Sequence, residues 1–235
     1  MSGEQASVRY GDSTLAYRVE RSARRRTVSI AVHANGEVVL RAPVDAPAER
    51  LGAVVTQKAA WIVDRVRTRR ASEAPLPRQF CAGETFFVDG GGALLSVTAA
   101  GEASVRLAGR KLMVSGVAAA NVRAALVAWY RTYAAVKLPT RLAILCERAG
   151  IAVPSLTVRD QAKRWGSCDA GGLIRINWRI VQAPQRLQDY VLAHEVAHLS
   201  HRDHSRGFWA ALGAMMPDYE SRRAELARIG GRYTW

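Results

Sequence analysis

The sequence predicts an α+β protein with a strand-rich N-terminal domain, containing one helix, over residues 1–117 and a mainly helical C-terminal domain over residues 118–235. Two observations support this division. Up to residue 115, apolar residues occur in short runs separated by glycine-containing turns, which is typical of strands; from residue 118 they recur at helical spacing. A chain of 235 residues is long enough for one large domain or two small ones.

The N-terminal part contains two strand-rich stretches with a helix between them. Residues 7–42 read as short strands, and Asn35-Gly36 between two apolar runs indicates a hairpin turn. Residues 47–68 are apolar at near-helical spacing, which predicts one helix. A connector with proline, serine and glutamate follows at 71–78, and strands return over 84–115. The sequence shows no internal repeat, unless the two strand-rich stretches are one.

The C-terminal part is predicted to be mostly helical. A long helical stretch covers 119–149, kinked or split at Pro139 and closed by Gly150. Two strands are predicted over 156–159 and 173–178. Three further helices follow, one beginning near Pro184 and two over 205–216 and 218–229.

The pattern H-E-x-x-H, formed by His194, Glu195 and His198, is the strongest functional signal in the chain. Two histidines four residues apart lie on the same face of a helix, so both imidazoles can reach one metal ion. The residues around the motif are apolar, which indicates a buried helix. Because burying an unpaired carboxylate and two imidazoles is costly, a metal ion is expected as their partner, with a polar core network as the alternative. Glu195 is placed to take a proton from metal-bound water, which predicts hydrolysis.

A catalytic zinc site needs a third protein ligand, which is either His204 or His201. Three ligands along one straight helical face cannot surround an ion, and His201 continues the face of His194. Arg202-Asp203 is a plausible turn, and Ser205 is a good N-cap for the next helix. A chain that turns here can bring His204 back over the metal. We therefore favour His204, and expect His201 either to support a ligand or to be merely exposed.

The composition points to a cytoplasmic protein that does not span a membrane. The N-terminus lacks the basic and apolar regions of a signal peptide, and no apolar run reaches about 18 residues. The three cysteines, Cys81, Cys146 and Cys168, form neither a disulfide framework nor a C-x-x-C motif.

The net charge of +14 raises the question of nucleic-acid binding. The charge is spread evenly, since residues 1–117 carry 17 basic and 11 acidic groups, and residues 118–235 carry 17 and 9. One dense cluster, Arg21 with Arg24, Arg25 and Arg26, could contact phosphates, although a solvated strand end is the simpler interpretation. We predict at most weak nucleic-acid contact through the basic surface.

Four motifs in a fixed order resemble the YgjP-like metallopeptidase family, which is similar to SprT-like zinc proteases of the gluzincin type. They are Trp165-Gly166-Ser167-Cys168, the stretch from Ile174 to Arg179, the H-E-x-x-H motif, and His204-Ser205 through Trp209. The N-terminal features Arg24-Arg25-Arg26, Asn35-Gly36 and Trp61-Ile62 also fit, so the resemblance covers nearly the full chain.

This resemblance implies a zincin fold, minigluzincin-like, with a small sheet beside the metal helix. It implies that His194, His198 and His204 bind the metal and that Glu195 is the base, in agreement with the choice made from geometry. The leading hypothesis is therefore a zinc-dependent metallopeptidase acting on protein or peptide substrates. The group that stabilises the oxyanion is not identifiable from the sequence, and Tyr219 and Arg179 are guesses.

Two alternative functions retain the metal site. In the first, zinc and the nearby Arg164, Arg175 and Arg179 hydrolyse a phosphoanhydride, as in a nucleotide pyrophosphatase, because guanidinium groups suit phosphate. Against it, the sequence has no glycine-rich phosphate loop and no carboxylate cluster for magnesium. In the second, the protein is a nucleic-acid-associated protease that docks through its N-terminal domain.

Three residues near the predicted strands have both a structural and a functional interpretation. Trp165 and Trp178 are more simply core residues, although strand 173–178 could have an exposed edge that pairs with a peptide. Cys168 is more simply a small packed residue than a thiol that binds zinc.

Overall fold

The computed structural model describes residues 4–11, 13–33, 35–71 and 77–235, and its contacts divide the chain into two units. The first unit is Met1–Glu73 and the second unit is Ala74–Trp235. Both contain helices and small sheets, so the prediction of a mixed α+β protein is confirmed. No helix among the described residues is long and apolar enough to cross a membrane.

The first unit consists of a four-stranded sheet and two helices. Its strands, in the spatial order β1-β2-β4-β3, are β1 (Glu4–Tyr10), β2 (Ser13–Arg21), β4 (Val38–Ala42) and β3 (Ser29–Val32), and β2 and β4 are parallel to each other. Helices α1 (Ala48–Gln57) and α2 (Ala59–Ala71) follow, and the buried side chains of Leu51 and Ile62 share one apolar core with Leu40 of the sheet.

Two predictions for the first unit have different outcomes. The hairpin at Asn35-Gly36 is confirmed, because β3 and β4 pair antiparallel around it and Gly36 adopts a positive φ of 83°. The single helix predicted over 47–68 is wrong, because the backbone leaves helical geometry at Lys58 (φ −101°, ψ 8°). The buried residues of α1 and α2 recur at one uninterrupted helical spacing. The spacing of apolar residues therefore cannot reveal the break between the two helices. Residues 72–76 of the predicted connector lie outside the described residues.

The second unit begins with a sheet that repeats the topology of the first. Its strands, in the spatial order β5-β6-β8-β7, are β5 (Thr85–Val88), β6 (Gly91–Thr98), β8 (Lys111–Ser115) and β7 (Ser104–Ala108), and β6 and β8 are parallel. The two sheets therefore share strand order and the position of their parallel pair. The two strand-rich stretches therefore form the same sheet topology, which the sequence left open as a repeat.

The observed division between Glu73 and Ala74 differs from the predicted boundary at 117/118. The second sheet belongs with the helices that follow it, since the buried Phe86 and Leu112 lie in the same apolar core as Leu126 and Leu192. The change from strands to helices near residue 118 is thus a change of element type within one core.

A long helix and a three-stranded sheet form the middle of the second unit. After a 3₁₀ turn, α3 (Val122–Ala149) buries one residue in four along its length and ends at Gly150 in the left-handed region (φ 65°). It continues through the exposed Pro139, where a kink or break was expected. The sheet has the order β10-β11-β9, with strands β9 (Leu156–Arg159), β10 (Gly166–Cys168) and β11 (Ile174–Asn177).

Three helices complete the second unit. They are α4 (Gln185–Ala197), α5 (Arg206–Met215) and α6 (Tyr219–Ile229), with 3₁₀ segments at Trp178–Gln182 and Gly230–Tyr233. The start of α4 and both bounds of α5 and α6 agree with the predicted helices to within about one residue.

Candidate metal centre

Helix α4 positions the first two histidines of the motif. The helix begins directly after Pro184 and is buried along most of its length, which confirms the prediction of a buried helix. His194 lies in its last turn, and His198 is the C-cap residue directly after it (φ −68°, ψ −13°). Because His198 is the fourth residue after His194, both imidazoles project from the same face.

The chain turns directly after α4, which ends several residues before the turn that the sequence suggested at Arg202-Asp203. Backbone amides of Leu199, Ser200 and His201 donate to carbonyls of the last helical turn, and α5 starts at Arg206. Ser205 occupies the N-cap position with extended backbone, although its hydroxyl makes no capping bond. This short connection returns His204 towards α4.

The structure brings His194, His198 and His204 together. One ring nitrogen from each lies within 4.8 Å of the other two, and the Nε2 atoms of His194 and His204 are 3.1 Å apart. Three converging imidazole nitrogens leave room for a fourth position, as in a catalytic zinc site. The three side chains can therefore hold one metal ion.

His201 lies outside this cluster but supports it through its backbone. The Nδ1 of His198 is 2.9 Å from the carbonyl oxygen of His201, so the Nδ1–H donates and Nε2 keeps its lone pair for a ligand bond. The His201 ring packs against Gly207, where a Cβ atom would lie 2.9 Å from its Cε1.

The surroundings of His194 and His204 favour the neutral imidazole, which is the form that binds metal. Burial, with smaller effects from His198, His204 and Arg223, lowers the pKa of His194 to about 4. Burial also lowers the pKa of His204, and His198 and Arg223 act in the same direction. The Nδ1 of His194 is buried and has no hydrogen-bond partner among the described residues.

Aromatic side chains of α5 pack against the three imidazoles. The buried Phe208 ring has its centroid 4.9, 4.6 and 4.7 Å from those of His194, His198 and His204. Trp209 packs beside His204 at 5.6 Å. These apolar contacts exclude water from one side of the cluster and restrict the imidazole orientations.

Glu195 directly follows His194 in the chain and is buried, with 5% of its surface exposed. Burial raises the pKa of its carboxyl to about 7, and the nearby positive charge of Arg164 opposes part of that rise. A carboxyl group with a pKa near neutrality can both accept and release a proton at physiological pH.

The three arginines of the phosphoanhydride hypothesis do not form one cluster. Arg175 pairs with Asp169 at 2.9 Å, and Arg179 pairs with Asp160 and stacks on Trp178. Arg164 alone among them acts on the pKa of Glu195. Because Arg179 already forms an ion pair with Asp160, it is also less suited to stabilise the oxyanion.

Tyr219, the other guessed oxyanion group, stacks on Trp209 at 5.5 Å and donates its hydroxyl to Glu220. Trp178 is fully buried and stacks on Tyr130, which confirms its interpretation as core. Trp165 is half-buried and packs against the same core.

Cys168 is a half-buried residue of β10. Its Sγ lies 3.8 Å from an Arg202 nitrogen, and burial raises the pKa of its thiol. It lies outside the histidine cluster, in keeping with a packed residue.

Two features that position the site were missed by sequence reasoning. Gly166 lies in β10, which was not predicted as a strand, and it faces Glu195. Asp89, in the turn between β5 and β6, accepts a hydrogen bond from Gln188 of α4 at 2.9 Å. The dipeptide Asp89-Gly90 between apolar residues is a hairpin signal that could have located that turn.

A buried H-E-x-x-H helix with a third histidine returned by a turn is the arrangement found in metallopeptidases. Residues 26–229 match the model of the YgjP-like metallopeptidase domain. The chain therefore belongs to the YgjP-like metallopeptidase family, and the resemblance stated from its motifs is confirmed. No curated protein matches the chain.

Two crystal structures of metallopeptidase zymogens are similar to part of the chain. Abylysin from Pyrococcus abyssi is 21% identical, with a TM-score of 0.34, over 37% of this chain and 88% of that one. Jannalysin from Methanocaldococcus jannaschii is 17% identical, with a TM-score of 0.34, over 38% of this chain and 91% of that one.

Proposed function

We propose that the protein is a zinc-dependent metallopeptidase in which His194, His198 and His204 bind the metal and Glu195 is the general base. The observation that supports this most directly is the convergence of three imidazole nitrogens within 4.8 Å, with the buried Glu195 directly after His194 in the chain. Neutral imidazoles suit zinc among the available divalent ions.

The donor set fits a zinc ion in its chemistry as well as its geometry. The low pKa of His194 and the hydrogen bond from His198 to the His201 carbonyl both leave ring nitrogens available as ligands. When bound, zinc supplies Lewis acidity towards water and towards a peptide carbonyl.

Glu195 provides the proton transfer in this proposal. Its carboxylate accepts a proton from the attacking water at an Oε atom and then delivers it to the nitrogen of the leaving amine. The pKa of about 7 suits both steps, since neither protonation state is strongly favoured at neutral pH.

Strand β10 is the proposed place where the substrate backbone binds. The sequence suggested an exposed edge for strand 173–178, but β11 is the central strand and pairs with β10 and β9. Strand β10 pairs on one side with β11, and its Gly166 lies against Glu195. A peptide added at the outer edge of β10 would run beside the base.

The alternatives have less support. Two of the three arginines that the phosphoanhydride hypothesis requires, Arg175 and Arg179, form ion pairs with Asp169 and Asp160. Weak nucleic-acid contact and a cytoplasmic location stay predictions.

Glu195→Gln tests the proposal. The purified protein should contain about one zinc per chain by elemental analysis and should cleave fluorescently labelled casein, and a chelator should abolish cleavage until zinc is restored. Glu195→Gln should keep its zinc and lose about 100-fold or more of this activity, because the base is lost while the ligands remain.

Glu147→Gln, at an exposed position of α3, is the matched control and should retain full activity. Activity that survives in Glu195→Gln would reject the role of the base. Zinc that survives in a His194→Ala, His198→Ala double variant would reject the metal site.

A further inference from the structure

Gly166 makes the closest approach of β10 to the Glu195 side chain. A Cβ atom built on Gly166 would lie 2.6 Å from Oε1, 2.8 Å from Cγ and 2.9 Å from Cδ of Glu195. Ordinary contacts of a Cβ atom begin near 3.4 Å. Any side chain at position 166 would therefore occupy the space that the carboxyl group now fills.

The backbone does not explain glycine at this position. Gly166 lies inside a strand, paired with Ile176, and its φ is outside the left-handed region. An alanine could adopt this conformation without strain. The requirement for glycine is thus one of space beside Glu195.

Little else fixes the Glu195 carboxyl group. No hydrogen bond or ion pair joins it to another group in the part of the chain that the structure describes. Its side chain is nevertheless almost fully buried. Its position therefore depends on packing, and Gly166 supplies the surface on the strand side.

The segment that leads into β10 is anchored by hydrogen bonds from Asn177, which oppose a retreat of the strand from an added methyl group. The Asn177 amide donates to the carbonyl oxygens of Gln161 at 2.7 Å and Arg164 at 3.2 Å. Its backbone N–H donates to the carbonyl of Trp165 at 2.8 Å. Asn177 is itself buried, with 3% of its surface exposed. Because these three bonds anchor residues between 161 and 165, we expect Glu195 to be the group that moves.

We infer that Gly166 is a positioning residue for Glu195, and that its missing side chain sets where the carboxyl group stands beside the three histidines. The catalytic importance of that position rests on the proposed function, whereas the packing of Gly166 against Glu195 does not depend on that function. It also gives a physical role to the glycine of the Trp165-Gly166-Ser167-Cys168 motif.

A double-mutant cycle on stability tests the packing directly. Gly166→Ala should lower the urea midpoint of unfolding in the wild-type background. In a Glu195→Ala background the same substitution should leave the midpoint unchanged or raise it, because the carboxyl group is gone. Gly171→Ala, in the exposed turn after β10, is the control; its Cβ would meet nothing closer than 3.4 Å, so neither midpoint should fall.

The activity of the zinc-loaded protein tests the positional consequence. To bring Oε1 from 2.6 Å to an ordinary 3.4 Å, Gly166→Ala must shift it by about 0.8 Å. A misplacement of that size costs roughly 100-fold in rate. We expect kcat on labelled casein to fall by that factor while zinc affinity stays unchanged, because the added methyl group meets Glu195 and not a histidine.

The possible outcomes separate this inference from the proposed function. An equal loss of stability in both backgrounds, or failure of the Gly166→Ala, Glu195→Ala double variant to fold, would overturn it. So would an unchanged midpoint and unchanged kcat in Gly166→Ala alone. If no variant cleaves casein but the cycle shows the expected coupling, the packing stands and the proposed peptidase function fails.

Discussion

Replacing Asp89 with alanine should destabilise the second unit by about 2–4 kcal/mol, because this carboxylate joins three separate elements. It accepts hydrogen bonds from the Tyr133 hydroxyl at 2.6 Å and from the Gln188 amide at 2.9 Å, and it pairs with Lys137. The β5–β6 turn is thereby fixed to both α3 and α4. Without it, the fully buried Gln188 amide would lose one of its two acceptors.

The size of this loss in the free energy of unfolding follows from the burial of the groups that contact Asp89. Removing one partner of a buried ion pair costs about 3–5 kcal/mol, and a hydrogen bond to a charged group contributes about 1.5–3 kcal/mol. The side chains of Asp89 and Lys137 are 33% and 17% exposed, so solvent screening reduces the pair below the fully buried case. Asp89→Asn should cost less, about 1–2 kcal/mol, since it removes the charge and keeps one acceptor oxygen.

Tryptophan fluorescence during urea unfolding measures this effect. Five of the six tryptophans lie in the second unit, so a Trp61→Phe background makes the signal specific for it. Glu147→Ala, which removes an exposed carboxylate of α3, is the control and should stay within about 0.5 kcal/mol of the parent. An Asp89→Ala variant that also stays within that limit would refute the reasoning.

Two further predictions concern the histidine cluster. His204→Ala should weaken zinc affinity by more than about 100-fold in competition with a chelator, whereas His201→Ala should leave it nearly unchanged because His201 contributes its backbone carbonyl; zinc loss confined to His201→Ala would contradict the assignment. Phe208→Ala should cost about 3–5 kcal/mol in urea unfolding, since it removes a fully buried ring that contacts all three imidazoles. A cost below about 1 kcal/mol would show that the ring does not support the site.

The arrangement of the histidines could be predicted from local sequence. Spacing places His194 and His198 on one helical face, and Ser205 marks the start of the next helix, so the intervening turn returns His204. These are short-range relations that depend on backbone geometry within about ten residues. The ligand roles themselves stay a proposal.

The third sheet could be predicted only in part. Strands β9 and β11 contain the β-branched and apolar residues that favour strands, but β10 is Gly-Ser-Cys, which has no such preference. It is a strand because β11 offers it a partner, with Gly166 opposite Ile176. Tertiary pairing decides the conformation of such a segment, so periodicity cannot detect it.

The predicted boundary between the two parts of the chain differs from the observed one for a similar reason. The change from strands to helices near residue 118 is visible in the sequence, but a boundary depends on which residues share a core. Tyr130 of α3 donates its hydroxyl to the Phe87 carbonyl of β5 at 2.7 Å, across 43 residues of sequence. Contacts of this range have no local signature, and they join the second sheet to α3.

The motif helix is fixed near both ends by residues from elsewhere in the chain. At its start, Asp89 binds Gln188, and Gly90 lies so close to Pro184 that a Cβ atom would be 2.7 Å from Cγ. At its end, Gly166 packs against Glu195. Water does little to fix the position of a helix whose carboxyl group and imidazoles are buried. Contacts with the neighbouring backbone therefore fix it. Glycine permits that close approach, which explains why Gly90 in a turn and Gly166 in a strand lie against the two ends of α4.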